Sequence, residues 1–427
     1  MTSTTHWLSG RTRSMVELAL PGIQDMLRDR KANASLDLAI AENHLIRNEL
    51  VEICKDIFQK RLRCEDLSYP QGFGGDPELL EALAAFFNRY FSPHVPVESA
   101  HVVAGPGATS CLSALLFGIC NAGEAVIIPG SYWSGFDFHM SLLPGVTIVN
   151  FPVAQEDPSA ETDEQNLMRC LEASIAACGA KVPRAVVLTN PHNPTGRCYT
   201  KSALESAAQF CESNGLHLIM DEVYGLSLLQ SSSQETKFIS SLSLDLPSLG
   251  VSPERVHVLW STSKDFGSSG FRMGCIVSQA NTAICASVGM LTTTQTSTLA
   301  SLITTVLLRH PKLSQLIALN QQRLTAAYIK ITSWLSKHDI KYVEATGGVY
   351  VLARLAPLAG SWAEEANVMT KLKTAGVVVG TGRSFHLSES CKGWFRIIFA
   401  VAPDVLDKAL ARMEEALGFG QKEVNFQ

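Results

Sequence analysis

The sequence predicts an α/β fold: a large domain on a mostly parallel sheet sandwiched by helices, plus a smaller α+β domain from both chain ends. Three observations predict it. From about residue 100, short apolar runs alternate with helical patterns, as in parallel strands covered on both faces. After about residue 300 helices dominate, and a short α+β segment closes the chain. Near the start, an extended segment at 36–41 (L-D-L-A-I-A) stands between helical runs. The large domain is read as 66–305, and the smaller one as 1–65 with 306–427.

Taken in order, residues 1–65 read as helix, then the extended segment, then Glu42-Asn43-His44 and a helical run to about Gln59. Glycine and proline make 69–77 a loop that contains Tyr69 and Phe73. Asp76 or Pro77 then opens a helix with Leu79, Leu80, Leu83, Phe86 and Phe87 at helical spacing. Strands are expected at 101–103, 125–128, 146–151, 185–188, 217–220, 256–259 and 275–277. Helices follow at 302–308 and Leu313–Lys337. The closing strands are expected at 349–352, 377–379 and 395–399.

Charged residues make up only 18% of the 427, below the roughly 25% usual in soluble domains, which points to surface buried against a second subunit. A formal net charge of -5 gives no basic footprint for nucleic acid. The 11 cysteines form no C-x-x-C pair, which fits reduced thiols in a cytoplasmic protein better than a disulfide framework or a structural metal site. No apolar run reaches the roughly 18 residues of a membrane span. The N-terminal stretch lacks a signal-peptide core, and the C-terminal V-N-F-Q matches no lipidation or retention signal.

The stretch around Lys264, V-L-W-S-T-S-K-D-F-G-S-S-G-F-R-M-G, carries the first chemical signal. A strand runs into a small-residue turn holding Lys264, with Ser261 and Ser263 close by and Arg272 eight residues on. A desolvated lysine can form a Schiff base, and hydroxyls with a guanidinium suit a phosphate. Together they suggest an aldehyde cofactor bearing a phosphate, pyridoxal 5'-phosphate. Ser261 to Lys264 also fits S-x-x-K, the serine-nucleophile signature, but the S-D-N and K-T-G that should accompany it are absent. A surface lysine after a buried strand is the plainer alternative.

Other segments supply candidate partners. Gly107, Ala108 and Thr109 lie between a strand and a helical run, where free N–H groups could bind a monophosphate; alone they favour an ordinary turn. Trp133 follows a strand end, where a ring cofactor could stack, or it is core. In Thr189-Asn190-Pro191-His192-Asn193-Pro194-Thr195-Gly196, the Asn193 amide could donate to a phenolate oxygen, with Tyr224 sharing that role. Asp221, at a strand end, is costly to bury unless it meets a cation such as a protonated pyridine nitrogen; its alternative is a helix N-cap. Arg396 stands alone in an apolar strand and needs an anion, either a substrate carboxylate or an internal partner.

In this order, G-A-T, Y-W-x-G-F-D, N-P-H-N-P-T-G, D-E-V-Y, S-T-S-K-D-F-G-x-x-G-F-R-x-G and G-W-F-R resemble the fold-type I, class I/II pyridoxal-phosphate enzymes. Within that group L-A-I-A-E-N at 38–43, F-H-x-S-E at 385–389 and G-W-F-R at 393–396 resemble 1-aminocyclopropane-1-carboxylate (ACC) synthase and its relatives. The resemblance implies a seven-stranded sheet and a homodimer with its active site at the interface. It makes Lys264 the Schiff-base lysine and general base, Asp221 the partner of the pyridine nitrogen, and Asn193 and Tyr224 the holders of the phenolate oxygen. Ala108, Thr109, Ser261, Ser263 and Arg272 would hold the phosphate, Trp133 the ring, and Arg396 the substrate carboxylate. Glu42, beside Ala41, matches an acidic position that ACC synthases keep and ordinary aminotransferases generally lack. One departure counts against ACC formation: a family tyrosine that reaches across the dimer aligns with Phe73, leaving Tyr69 as its candidate substitute.

The relatives of ACC synthase include fungal C–S lyases of gliotoxin-type pathways. The sequence therefore leads us to expect an amino-acid-type substrate and C–S bond elimination, with transamination as the alternative.

Overall fold

A computed structural model describes residues 4–32, 35–152, 157–230 and 237–419; residues 1–3 and the C-terminal V-N-F-Q lie outside them. In chain order the strands are β1 (Leu36–Leu38), β2 (Val102–Gly105), β3 (Ala125–Ile127), β4 (Thr147–Val149), β5 (Pro183–Thr189) and β6 (His217–Asp221). They continue as β7 (Val256–Ser261), β8 (Gly274–Val277), β9 (Tyr350–Ala353), β10 (Val377–Thr381) and β11 (Phe395–Ile398).

Seven of these form one sheet in the order β2-β8-β7-β6-β5-β3-β4. Only β8 runs antiparallel to its neighbours; the other pairs are parallel, as the buried apolar runs predict. The register sets Thr189, Asp221 and Leu259 side by side, so three adjacent strands end together. A second sheet, β1-β10-β11-β9, joins the two ends of the chain, with β1 parallel to β10.

The strand expected at 146–151 shrinks to Thr147–Val149 for a visible reason. Asn150 turns its side-chain amide to the Ile128 carbonyl at 2.7 Å and also to that of Gly130, binding the loop after β3 instead of lengthening β4. The helix expected from Asp76 or Pro77 spans Pro77–Tyr90, and the Asp76 side chain caps it by accepting from the Glu78 N–H at 3.0 Å. Its buried Leu79, Leu83, Phe86 and Phe87 face the sheet; Phe86 meets Trp260 at 4.6 Å and Phe266 at 6.2 Å. Each such side chain, fully buried, stabilises the fold by roughly 1.5–3 kcal/mol. This aromatic layer backs the turn that carries Lys264. The expected helix at 302–308 begins earlier, at Thr298, because Ser297 caps it by accepting from Ala300 N–H. No described helix is long and apolar enough to cross a membrane.

Candidate active site

A cavity of about 450 Å³ opens where β5, β6 and β7 end, the usual ligand position for parallel sheets. Ala41, Ala108, Thr109, Trp133, Asn193, Asp221, Tyr224, Ser261, Ser263, Lys264, Arg272 and Arg396 all line it. Segments spread over more than 350 residues of sequence thus meet in one place.

Lys264 rides on a four-residue helix, Thr262–Asp265, that Ser261 caps by accepting from Ser263 N–H at 3.4 Å. The next side chain, Asp265, is buried and accepts from Trp260 Nε1 at 2.9 Å and Ser227 Oγ at 2.7 Å. Asn43 donates to the Lys264 carbonyl at 3.2 Å and to Asn320, which donates to the Asp265 carbonyl. The turn is therefore fixed from two sides. Lys264 Nζ donates to the Ala41 carbonyl at 2.5 Å. Burial, with help from the Arg396 charge and against Glu42 and Asp221, lowers Lys264 to about 8. Such a lysine yields its proton far more readily than one in water.

Asp221 ends β6, 7% exposed, and its carboxylate receives one backbone N–H, from Val223 at 3.3 Å. Burial pushes it up to about 7, opposed by that N–H and by Lys264. Asn193 accepts from Arg396 Nη1 at 2.8 Å, which turns its NH₂ group toward donation. Tyr224 is buried edge-on to Tyr350, and burial raises its hydroxyl well above the usual range, keeping it a neutral donor.

Arg396 is 2% exposed in β11, its guanidinium 4.3 Å above the Phe385 ring and 5.0 Å from that of Tyr350. It also donates to the Ala39 carbonyl at 2.5 Å, yet its buried Nε has no partner. That combination calls for an anion. At the opposite end, Gly107 (φ 92°) precedes the helix Ala108–Ile119, whose first residues, Ala108 and Thr109, line the cavity. An added Cβ on Gly107 would lie 2.5 Å from Arg272 Nη2, so only glycine lets the guanidinium approach this helix start.

Three candidates lie apart from this cluster. Glu42 is half-buried at the rim and reaches the cavity through Ser269, whose Oγ donates to it at 2.5 Å. Arg47 and His44 also hold Glu42, at 2.8 and 3.2 Å. Burial works against its charge, but these three side chains overcome it and bring the carboxyl down to about 2. Phe73 and Tyr69 are 57% and 83% exposed and do not line the cavity.

The family model for aminotransferase class I and II matches residues 36–413. The chain belongs to that family. Among its relatives is the "Probable aminotransferase aclI" of Aspergillus oryzae, 41% identical over 98% of this chain and 100% of its own length. The "Probable aminotransferase gliI" of Aspergillus fumigatus is 38% identical over 91% of this chain and 90% of its own. The mouse "1-aminocyclopropane-1-carboxylate synthase-like protein 1" is 30% identical over 93% of this chain and 78% of its own. A Thermus thermophilus aspartate aminotransferase shares the fold, with TM-score 0.76 and 22% identity over 96% of this chain and 99% of its own.

The cofactor of this class I/II enzyme is pyridoxal phosphate, and the residues fit it. Among the described residues Asp221 is a buried carboxyl with no ion pair, Arg272 and a helix start form an anion cradle, and Lys264 lines the same cavity. Sequence reasoning missed Ser269, His139, Thr189, Phe136 and Leu112, which also line the cavity. It also passed over Phe385 as a partner of Arg396, although F-H-x-S-E had drawn attention to that segment.

Proposed function

We propose that this class I/II enzyme is a C–S lyase. It would convert a cysteine S-conjugate and water into a thiol, pyruvate and ammonia. The observation that favours elimination is the Glu42–Ser269 pair at the cavity rim, a fixed acidic group that matches a position ACC synthases keep. Transamination is the second reading, and the printed names of the fungal relatives favour it.

Pyridoxal phosphate, once bound, supplies an electron sink that makes the substrate Cα–H acidic. The chain's own residues do the rest. Lys264, lowered to about 8, removes the proton from Cα. Asp221 would hold a proton at the pyridine nitrogen, while Asn193 and Tyr224 would donate at the phenolate oxygen. Gly107, Ala108, Thr109, Ser261, Ser263 and Arg272 would hold the phosphate, and Trp133 the ring. Arg396 receives the substrate α-carboxylate, which would satisfy its partnerless Nε. Glu42 and Ala41 border the departing side chain. Phe73 and Tyr69, exposed in one chain, would face the cavity of a partner subunit in a cytoplasmic homodimer.

Purified enzyme mixed separately with a cysteine S-conjugate, S-adenosylmethionine and alanine tests this, with products followed by mass. Thiol and pyruvate from the conjugate are expected. Only 2-oxo acid with conversion of the cofactor to pyridoxamine phosphate would replace the lyase reading with transamination.

A further inference from the structure

We propose that His386, with Asp137 and Tyr132, is a positioning latch. It joins the wall carrying Trp133 to the wall that receives the substrate carboxylate. The proposal rests on the carboxylate reading of Arg396.

The two walls come from different sheets. Tyr132 and Trp133 follow β3 of the large sheet, whereas Phe385 and His386 follow β10 of the small one. Three contacts tie them together, and a fourth, inside the first wall, braces them. Tyr132 N–H donates to the Phe385 carbonyl at 2.9 Å. The Tyr132 and His386 rings stack at 4.0 Å and 11°. Tyr132 Oη donates to one oxygen of Asp137 at 2.8 Å, and His386 Nε2 meets the other at 2.9 Å.

What the latch holds gives it a functional meaning. Phe385, the residue before His386, is the ring under the Arg396 guanidinium at 4.3 Å. His386 itself has φ 57°, a left-handed conformation that most side chains resist. The Asp137 pair is not needed to bury core: the His386 and Asp137 side chains are both 35% exposed, whereas Tyr132 beneath them is buried. Keeping a residue in this conformation at a half-open site fits a role in aiming Phe385, and through it Arg396. His386 does not line the cavity, so it is a positioning residue.

His386→Asn tests this because asparagine tolerates the left-handed backbone but is too short to reach Asp137. Asp137→Asn is the second variant should the first fail to fold. The probes are 2-aminoisobutyrate, which has a carboxylate but no α-proton, and isopropylamine, which lacks the carboxylate. Both are titrated against the absorbance of the cofactor in holoenzyme. Loss of a stack and a half-exposed hydrogen bond should weaken 2-aminoisobutyrate about tenfold for His386→Asn and about threefold for Asp137→Asn. Isopropylamine binding should move less than about twofold, and KM for the substrate should rise more than kcat falls. Equal weakening of both amines, or of neither, in a folded variant overturns the latch. Arg396→Gln separates the premises. If it leaves 2-aminoisobutyrate binding unchanged, the carboxylate reading has failed; if it weakens binding while the latch variants do not, only the latch has.

Discussion

Asp221 and Glu42 both favour the charged form of Lys264, yet their own carboxyls move in opposite directions. Asp221 is pushed up to about 7 and Glu42 brought down to about 2. Burial opposes the charge of both. The difference lies in the donors: one backbone N–H serves Asp221, whereas Ser269, Arg47 and His44 all serve Glu42. A carboxylate with its own cation is electrically complete, and one without is waiting for a ligand. The contrast supports the proposal that Asp221 serves the cofactor while Glu42 stays at the rim.

The largest test of that contrast is Asp221→Asn. With no anion opposite the pyridine nitrogen, about two pKa units of its stabilisation go, and kcat should fall on the order of 10²-fold. Steady-state turnover checks this, and a loss under about threefold would break the comparison. Glu42→Gln should have a smaller and more selective effect. We expect kcat/KM for a cysteine S-conjugate to fall roughly tenfold, while cofactor affinity, read by equilibrium titration, changes less than about twofold. If cofactor affinity fell with activity, Glu42 would belong with Asp221.

The smallest effects are in stability, where the two acids have opposite signs. Folded apo-protein holds the Asp221 proton up to about pH 7, whereas the unfolded chain releases it near 3.8. Asp221 therefore contributes stability below pH 3.8 that is lost as pH rises through 7. Glu42, lowered from 4.5 to about 2, contributes stability above pH 4.5 that is lost as pH falls toward 2. Melting temperatures of apo-protein across pH 3–8 should show Asp221→Asn flattening the neutral side of the profile and Glu42→Gln flattening the acid side. The Glu42 effect should be the weaker, since its side chain is 33% exposed.

How much of this was legible in the sequence follows from where each residue sits. Asp221 and Ser261 end buried strands, and an apolar run that stops at a polar residue marks such an end in one dimension. Lys264 and Gly107 stand in turns whose residue types advertise the backbone needed. By contrast, Arg47 as the partner of Glu42 depends on how a helix leaves the loop, and nothing in E-N-H-L-I-R gives that direction. Ser269 and Phe385 meet their partners across 227 and 11 residues, through contacts that only packing decides. Strand ends failed where a side chain outcompeted pairing, as Asn150 does. Periodicity reads burial; it does not read which polar group a neighbouring segment will supply.

The central claim is elimination rather than transamination, and counting turnovers tests it most directly. Holoenzyme is given a cysteine S-conjugate in large excess with no 2-oxo acid added, and thiol released per active site is measured. A lyase regenerates its starting form each cycle, so many equivalents of thiol with matching pyruvate and ammonia are predicted. No thiol, together with one equivalent of 2-oxo acid and a cofactor left as pyridoxamine phosphate, would contradict the account.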